Sequence, residues 1–293
     1  MPSTRDIRRR IKSVKNTSQI TKAMQMVASS KMQKAQQAAV RGRPFAEMAN
    51  LVMDHAAEGA EDFTHPLLEE REVHKKAVIV VSTDKGLCGA LNANLLRELS
   101  RYDNGTTQFV AVGRKAAQFL ARTKRRLVAE YTYRDIPTFG ECQAIAKCAR
   151  DLFINREADQ VDIIFSKFIN TLSQKPEVRQ LLPLNRDQSL TTGVGREASQ
   201  PEKTDTSRVQ YLFEPGAGAV MEMLMSVFLD FQVMQVLLES KASEHSARMV
   251  AMKNATDNAK QLIKDLTLEY NKLRQANITK ELLEISSAAM ALG

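Results

Sequence analysis

Few residues in this chain of 293 have the type and spacing for chemistry. The clearest candidate is DKGLCG, Asp84–Gly89, between a β-branched run, KAVIVVST, and a helical segment, ALNANLLRELS. A phosphate loop belongs at such a strand-to-helix turn, where backbone N–H groups and the helix N-terminus attract anions. The segment matches neither GxGxxG nor GxxxxGK[ST]. Gly86 and Gly89 fit a tight turn and close packing better, and Asp84 and Lys85 stay open as a surface pair or a binding patch. No GxSxG elbow and no HExxH motif occurs. The histidines, His55, His65, His74 and His245, are scattered and read as structural or surface side chains. Cys88, Cys142 and Cys148 form no CxxC, which argues against a disulfide framework or a thiolate zinc site. The expectation is no catalytic residue, no metal and no cofactor.

The rest of the chain must therefore be read for what its elements hold or transmit. With 43% hydrophobic and 26% charged residues, it has the balance of a folded protein rather than a disordered one. The longest run without a charged residue is Gly86–Leu96. That is short of the roughly 20 apolar residues of a membrane span, so none is expected. MPSTRDIRRRIK at the N-terminus lacks the apolar core of a secretory signal. Residues 1–43 hold eleven Lys or Arg and one acid, whereas the whole chain is only +8. The basic character belongs to one segment, and an acidic partner surface suits it.

Glycine and proline mark the boundaries. Residues 3–41 and 219–292 contain neither, and runs of that length suggest a coiled coil. Ile7, Ile11, Val14, Val27, Ala28, Met32, Ala35 and Ala39 recur at intervals that place them on one stripe of the first helix. In the second, Val220, Met223, Leu224, Val227, Phe231, Met234 and Leu238 do so, followed by Ala255, Ala259, Leu262, Leu266, Tyr270 and Leu273. Ser18, Thr21 and Asn258 interrupt the seam, so the coil is slender and partly polar. Gly42 and Pro44 predict a bend. Between the long helices, strands and helices alternate: strands at 76–83, 107–113, 125–133 and 158–170, and helices at 90–100, 114–123 and 141–157. VRQLLPL (178–184) reads as a strand returning from a hairpin, 185–207 as a polar loop, and RVQYLFEP (208–215) as a last strand. The pattern is α/β: a mostly parallel, Rossmann-like sheet with helices on its faces.

The expected division is an N-terminal shaft helix over 1–60, a central α/β domain over 74–214 and a C-terminal shaft helix over 215–293. One helix leads into the sheet and the other away from it, so a packed pair must be antiparallel. At 1.5 Å per residue the second helix spans roughly 110 Å and the first roughly 85 Å, which leaves about 25 Å of the C-terminal end projecting alone. That tip, NITKELLEISSAAMALG, has no charged side chain after Glu284. Leu282, Leu283, Ile285 and Met290 would lie open to water there unless another protein formed a sleeve around them.

ITKAMQMVASSKMQKAQ (20–36), STDKGLCGALN (82–92), KFINTLSQ (167–174) and SEHSARMVAMKNATDNAKQLIKDLTLEYNKLRQANITKELLEI (243–285) closely resemble the γ subunit of F-type ATP synthases. The resemblance covers essentially the whole chain. Ala288 departs from the family's usual glycine, a change toward a better helix former. The resemblance implies a noncatalytic rotor shaft inside a ring of three α and three β subunits. Its α/β foot would stand, with the ε subunit, on the membrane ring of c subunits. Catalysis would occur on β, and turning the shaft would couple ion flow to ATP synthesis or the reverse.

By position, the resemblance assigns Met24 to the neighbourhood of an acidic lever of β. It assigns Arg274 and Gln275 to hydrogen bonds with a β loop, and Arg248, Thr279 and Glu281 to coupling. Tyr211, Phe213 and Glu214 would form the foot beside ε and the c ring. The resemblance also implies a peripheral place on the membrane through the complex, and the absence of a presequence reads as bacterial, on the cytoplasmic face of the inner membrane. The polar loop 185–207 has no cysteine pair of the kind found in chloroplast forms, so no thiol switch is expected. Two other classes remain. A basic coiled-coil nucleic-acid adaptor fits the arginine-rich start, although no aromatic residue is interleaved there for base stacking. An α/β enzyme with helical arms would need the active-site motifs missing above. No nucleic-acid partner is expected.

Overall fold

A computed structural model describes residues 3–58, 65–184, 214 and 216–292. The elements are α1 (Thr4–Arg41), α2 (Arg43–Glu58), a 3-10 turn (Pro66–Leu68), β1 (Lys76–Val81), α3 (Leu91–Leu99), β2 (Thr107–Val112), α4 (Arg114–Arg122), β3 (Leu127–Tyr131), α5 (Phe139–Ile154), β4 (Gln160–Phe168), β5 (Gln174–Leu182) and α6 (Ala217–Leu292). The alternation read from the sequence is present. The loop at 185–207 and nearly all of the strand at 208–215 lie outside the described residues.

The five strands run in the order β3-β2-β1-β4-β5. β1 pairs in parallel with β2 and β4, β2 pairs in parallel with β3, and β5 returns antiparallel to β4. Side chains alternate across the pleat. From β1, Val78 and Val80 face α3 and α4 with Leu95, Leu99 and Leu120. Ala77, Ile79 and Val81 face the other core, where Phe153 of α5, Ala46 of α2, and Phe228, Leu229, Val233 and Leu237 of α6 meet. Both faces are covered, so the central strands are apolar throughout rather than half polar.

The chain forms two compact units: residues 29–248, which contain the sheet, and residues 1–28 with 249–293. The boundary falls inside both long helices rather than at their ends. In the sheet-bearing unit, residues 228–233 and 235–246 of α6 are buried, as a helix enclosed on all sides must be. Contrary to the sequence expectation, one stretch of α6 among the described residues is apolar and long enough to cross a membrane, with mean hydropathy 1.5 and 61% of its window buried. Packing against the sheet, α2 and α5 accounts for that apolarity. Met223 stands outside this core at 69% exposure. The predicted bend is the α1–α2 junction at Gly42, where an added Cβ would lie 2.6 Å from Gln235 Nε2 and 3.2 Å from Phe231 Cζ. Phe45 then packs on Phe231 at 4.9 Å between ring centroids. Steps forward along α1 and α2 match steps backward along α6, as in an antiparallel pair.

In the second unit, Ser3 caps α1 by accepting the Asp6 N–H. The seam is built from Ile7, Ala28, Met252, Ala259 and Leu266. Two predicted seam residues fall off it: Val27 is 55% and Leu262 44% exposed. Ile263, one position on from Leu262, is half-buried instead. Thr21, read as an interruption, is buried in the seam against Thr256. Leu273 is half-buried, and every side chain from Arg274 to Ser287 is exposed. That is about 20 Å of helix, close to the projecting tip expected from the lengths.

Candidate functional site

In an open α/β sheet, ligands bind beyond the carboxyl ends of the strands where the strand order reverses. Here that place is between β1 and β4, whose crossover helices lie on opposite faces. Two connections bound it. After β1 comes DKGLCG, and after β4 comes the hairpin turn Ile169–Ser173.

The β1 connection is held by its own side chains. Thr83 Oγ1 donates to the Lys85 carbonyl at 2.8 Å, and Asn92 Nδ2 donates to Thr83 Oγ1 at 2.8 Å. Leu87 and Gly89 both have positive φ, 64° and 61°. Gly89 thus takes a turn conformation natural to glycine, but a Cβ at either Gly86 or Gly89 would meet nothing within 4 Å, so close packing explains neither. The N-terminus of α4, where an anion would be drawn, is already served. Asp84 Oδ1 accepts from the Arg114 N–H at 3.0 Å, and Ser82 Oγ accepts from the Ala116 N–H at 2.8 Å. Asp84 is therefore a capping carboxylate beside a helix dipole. Gly113 allows this approach: its φ is 103°, and a Cβ there would lie 2.3 Å from the Ser82 carbonyl oxygen.

The reversal point is occupied by α6. Arg248 Nη2 donates to the carbonyls of Lys85 at 3.2 Å and Gly86 at 3.3 Å. Ser246 Oγ donates to the Thr171 carbonyl at 2.7 Å, and Gln174 Nε2 reaches Ser246 Oγ at 3.3 Å. In the turn itself, Asn170 Oδ1 accepts from the N–H groups of Leu172 and Ser173. One turn of α6 thus fastens the connection after β1 to the connection after β4, where an enzyme of this fold would hold its substrate.

Around that turn lies a buried ionic cluster. The side chains of Lys241, Glu244, His245 and Arg248 are 4%, 6%, 3% and 12% exposed. Glu244 pairs with Arg248 at 2.9 Å and with Lys241 at 3.0 Å. Asp135 accepts from Lys31 Nζ at 2.7 Å and lies 3.2 Å from His245 Nε2. A capping box between Thr138 and Glu141 starts α5 at Phe139, two residues ahead of the predicted start, and fixes the connection that carries Asp135. Burial alone would raise the Asp135 carboxyl, but Lys31 and His245 hold it below its ordinary value. Burial depresses His245 against the pull of Glu244 and Asp135. It also drives Tyr133, whose ring lies under Lys241 Nζ at 4.4 Å, well above the ordinary phenol value.

Burial pushes the thiols of Cys88 and Cys148 up and that of Cys142 to about 12, away from the reactive thiolate. Among the described residues no cluster of His, Cys, Asp and Glu could hold a metal ion.

Of the residues assigned by position, Arg248 is committed inside the cluster. Met24 is half-buried on α1. Arg274, Gln275, Thr279 and Glu281 are exposed on α6, with Thr279 Oγ1 bonded to the Gln275 carbonyl. Arg274 and Glu281 are two turns apart, and Gln275 and Thr279 one turn apart, so the four occupy one broad face. Glu214 is exposed, whereas Tyr211 and Phe213 lie outside the described residues. Sequence reasoning missed Lys31, Asp135, Lys241, Glu244 and His245 as a group. The available signal was ESKASEHSAR (239–248), a polar stretch in a breaker-free helix that is apolar just before it.

Two long helices pairing beside a sheet whose ligand position is filled by one of them define a stalk-forming protein with an α/β domain. A family model described as ATP synthase matches residues 3–292. The chain is 48% identical to the ATP synthase gamma chain of Opitutus terrae, over 99% of each chain, and 44% identical to that of Methylacidiphilum infernorum over the full length of both. Its fold matches a chain in the mitochondrial ATP synthase of Euglena gracilis (OSCP/F1/c-ring), with TM-score 0.69 and 21% identity, covering 99% of this chain and 94% of that one. It also matches a chain of the central stalk and c ring of the Tetrahymena thermophila enzyme, with TM-score 0.58 and 26% identity, covering 80% and 99%. The chain belongs to the ATP synthase gamma-chain family.

Proposed function

We propose that this chain is the noncatalytic rotor of a rotary ATP synthase, standing in the central stalk between a catalytic α/β head and a membrane c ring. The observation that carries the noncatalytic reading is the seating of Ser246 and Arg248 across the connections after β1 and β4. A position that would bind substrate is used to fasten a helix. That helix continues without a break to Leu292, and continuous helices resist torsion.

Two non-identical helices cannot present the same face to three equivalent β subunits. Each orientation therefore favours a different state in each neighbour, and turning the pair shifts populations among states of different nucleotide affinity. Met24, Arg248, Arg274, Gln275, Thr279 and Glu281 are the coupling residues in this reading, and Tyr211, Phe213 and Glu214 the foot toward ε and the c ring. The exposed apolar side chains Leu282, Leu283 and Ile285 suit a sleeve of partner subunits. The complex is membrane-associated, and bacterial relatives support the cytoplasmic face of the inner membrane, with this chain held there peripherally.

Purified alone, the chain is expected to hydrolyse no ATP. Co-expressed with α and β subunits it should yield a stable ATPase, and leaving it out should collapse that activity. Turnover by the isolated chain would refute the noncatalytic assignment. Tight, salt-sensitive DNA binding without assembly would favour the adaptor.

A further inference from the structure

Inside the sheet-bearing unit, polar side chains from α1, the β3–α5 connection and α6 form one chain that ends on the β1–α3 connection. Lys31 Nζ of α1 is 2.7 Å from Asp135 Oδ2. The other oxygen of Asp135 is 3.2 Å from His245 Nε2, and His245 Nδ1 is 3.4 Å from Arg248 Nη1. Arg248 in turn holds the Lys85 and Gly86 carbonyls. His245 stands between the Lys31–Asp135 pair and Arg248 in this sequence of contacts, and Glu244 pairs with Arg248 beside it.

The proton on the ring follows from its neighbours. Arg248 is a donor with no acceptor, so Nδ1 must accept; a neutral imidazole then carries its proton on Nε2, where the Asp135 carboxylate receives it. The charged groups around the ring are Asp135 from the β3–α5 connection and Glu244, Lys241 and Arg248 from α6. Lys31 of α1 reaches it through Asp135, and the β1–α3 connection turns backbone carbonyls toward Arg248. A proton added at Nδ1 would set one donor against another, and one cation against another, in a site with the ring 3% exposed.

Resting on the central-stalk reading above, we propose that His245 is a positioning residue. Its Nε2–H ties α1 to α6 through Asp135 in either charge state, while the unprotonated Nδ1, together with Glu244, holds Arg248 on the Lys85–Gly86 carbonyls, so that torque on the sheet-bearing unit reaches both helices together; protonation of Nδ1 turns the ring against Arg248 and unfastens it from those carbonyls. Burial holds the ring below the ordinary histidine value. The fastened form thus persists through neutral pH and is lost as pH falls below about 6.5.

The test uses the whole complex reconstituted in vesicles, with proton pumping per ATP hydrolysed measured from about pH 5 to about pH 8. Wild type should lose coupling toward the acid end. His245→Gln, whose amide can donate to Asp135 and accept from Arg248 without titrating, should match wild type at the alkaline end and keep its coupling in acid. His245→Leu should lower the pumping ratio by about twofold or more at every pH while hydrolysis continues. A second readout does not depend on the leucine variant folding: hydrogen exchange of Lys85–Gly89, corrected for intrinsic rate, should rise in acid for wild type and stay flat for His245→Gln. An acid loss that is the same in wild type and His245→Gln, or acid-insensitive exchange in wild type, overturns the proposal. A complex that pumps equally well without this chain would instead overturn the central-stalk reading.

Discussion

Thr21 and Thr256, 235 positions apart in sequence, meet hydroxyl to hydroxyl at 2.7 Å inside the helical seam. Each hydroxyl has one proton and a backbone carbonyl nearby: Ser18 at 3.1 Å for Thr21 and Met252 at 2.8 Å for Thr256. One hydroxyl donates across the seam and the other to its own helix carbonyl, so the pair shares two protons among three acceptors. Thr21→Val should cost about 1 kcal/mol by removing the interhelical hydrogen bond, whereas the double change Thr21→Val with Thr256→Val should recover most of that loss, because no half-satisfied hydroxyl remains. Urea midpoints of the purified chain and its three variants measure the cycle. Equal losses that simply add would show that the two hydroxyls do not interact.

Gly113 and Gly86 should respond oppositely to alanine. Gly113 combines a φ of 103° with a carbonyl oxygen 2.3 Å from any added Cβ, while Gly86 has nothing within 4 Å. Gly113→Ala is expected to destabilise by more than about 2 kcal/mol through backbone strain and displacement of Ser82. Gly86→Ala should stay within about 0.5 kcal/mol of wild type. Thermal melting of both variants checks the contrast, and comparable melting points would contradict it.

Glu239 predicts a pH effect of definite sign. The residue is fully buried, and burial pushes its carboxyl up to about 6 despite the attraction of Arg179. The native state then binds more protons than the unfolded chain between the unfolded value of 4.5 and about 6. Stability contributed by the protonated form is therefore complete below that window and lost as pH rises through it. Glu239→Gln keeps an oxygen for the Phe168 N–H, which Glu239 Oε1 accepts at 3.3 Å. It should stabilise the protein at pH 7 by about 1–2 kcal/mol and flatten this part of the profile. Denaturation midpoints at pH 4.5, 6 and 7 read this directly, and a less stable glutamine variant at pH 7 would reverse the assignment.

Arg274→Ala removes an exposed guanidinium that the proposed function places against β. Coupled ATP synthesis should fall while the complex still assembles, and unchanged synthesis would remove the support for that contact. Met24→Lys adds a cation to an already basic helix at a half-buried position. It should lower protons pumped per ATP more than it lowers assembly, and a normal ratio would contradict the role.

The parallel strands and the two long helices were legible because they announce themselves locally, through β-branched runs and breaker-free stretches. What was not legible depended on three-dimensional encounter. Nothing local says that Thr21 is a seam residue, since its partner lies in the last quarter of the chain. Nor could periodicity choose between Leu262 and Ile263, where a shift of one position rotates the helix by about 100°. Lys31, Asp135 and His245 come from three distant segments and matter only once assembled. The missing motifs were legible in the sequence, but the seating of α6 across the connections after β1 and β4 required the fold.

One of the two apolar faces of the sheet is completed by Met221, Met225, Phe228 and Leu229, in the last quarter of the polypeptide. During synthesis, which delivers the chain from its N-terminus, the strands are made long before their cover. A nascent chain must carry Ile79, Ile163 and Phe165 without that lid until translation is nearly over. Truncation anywhere ahead of Met221 would therefore leave an adhesive half-core, a substrate for chaperones or proteases rather than a smaller working part.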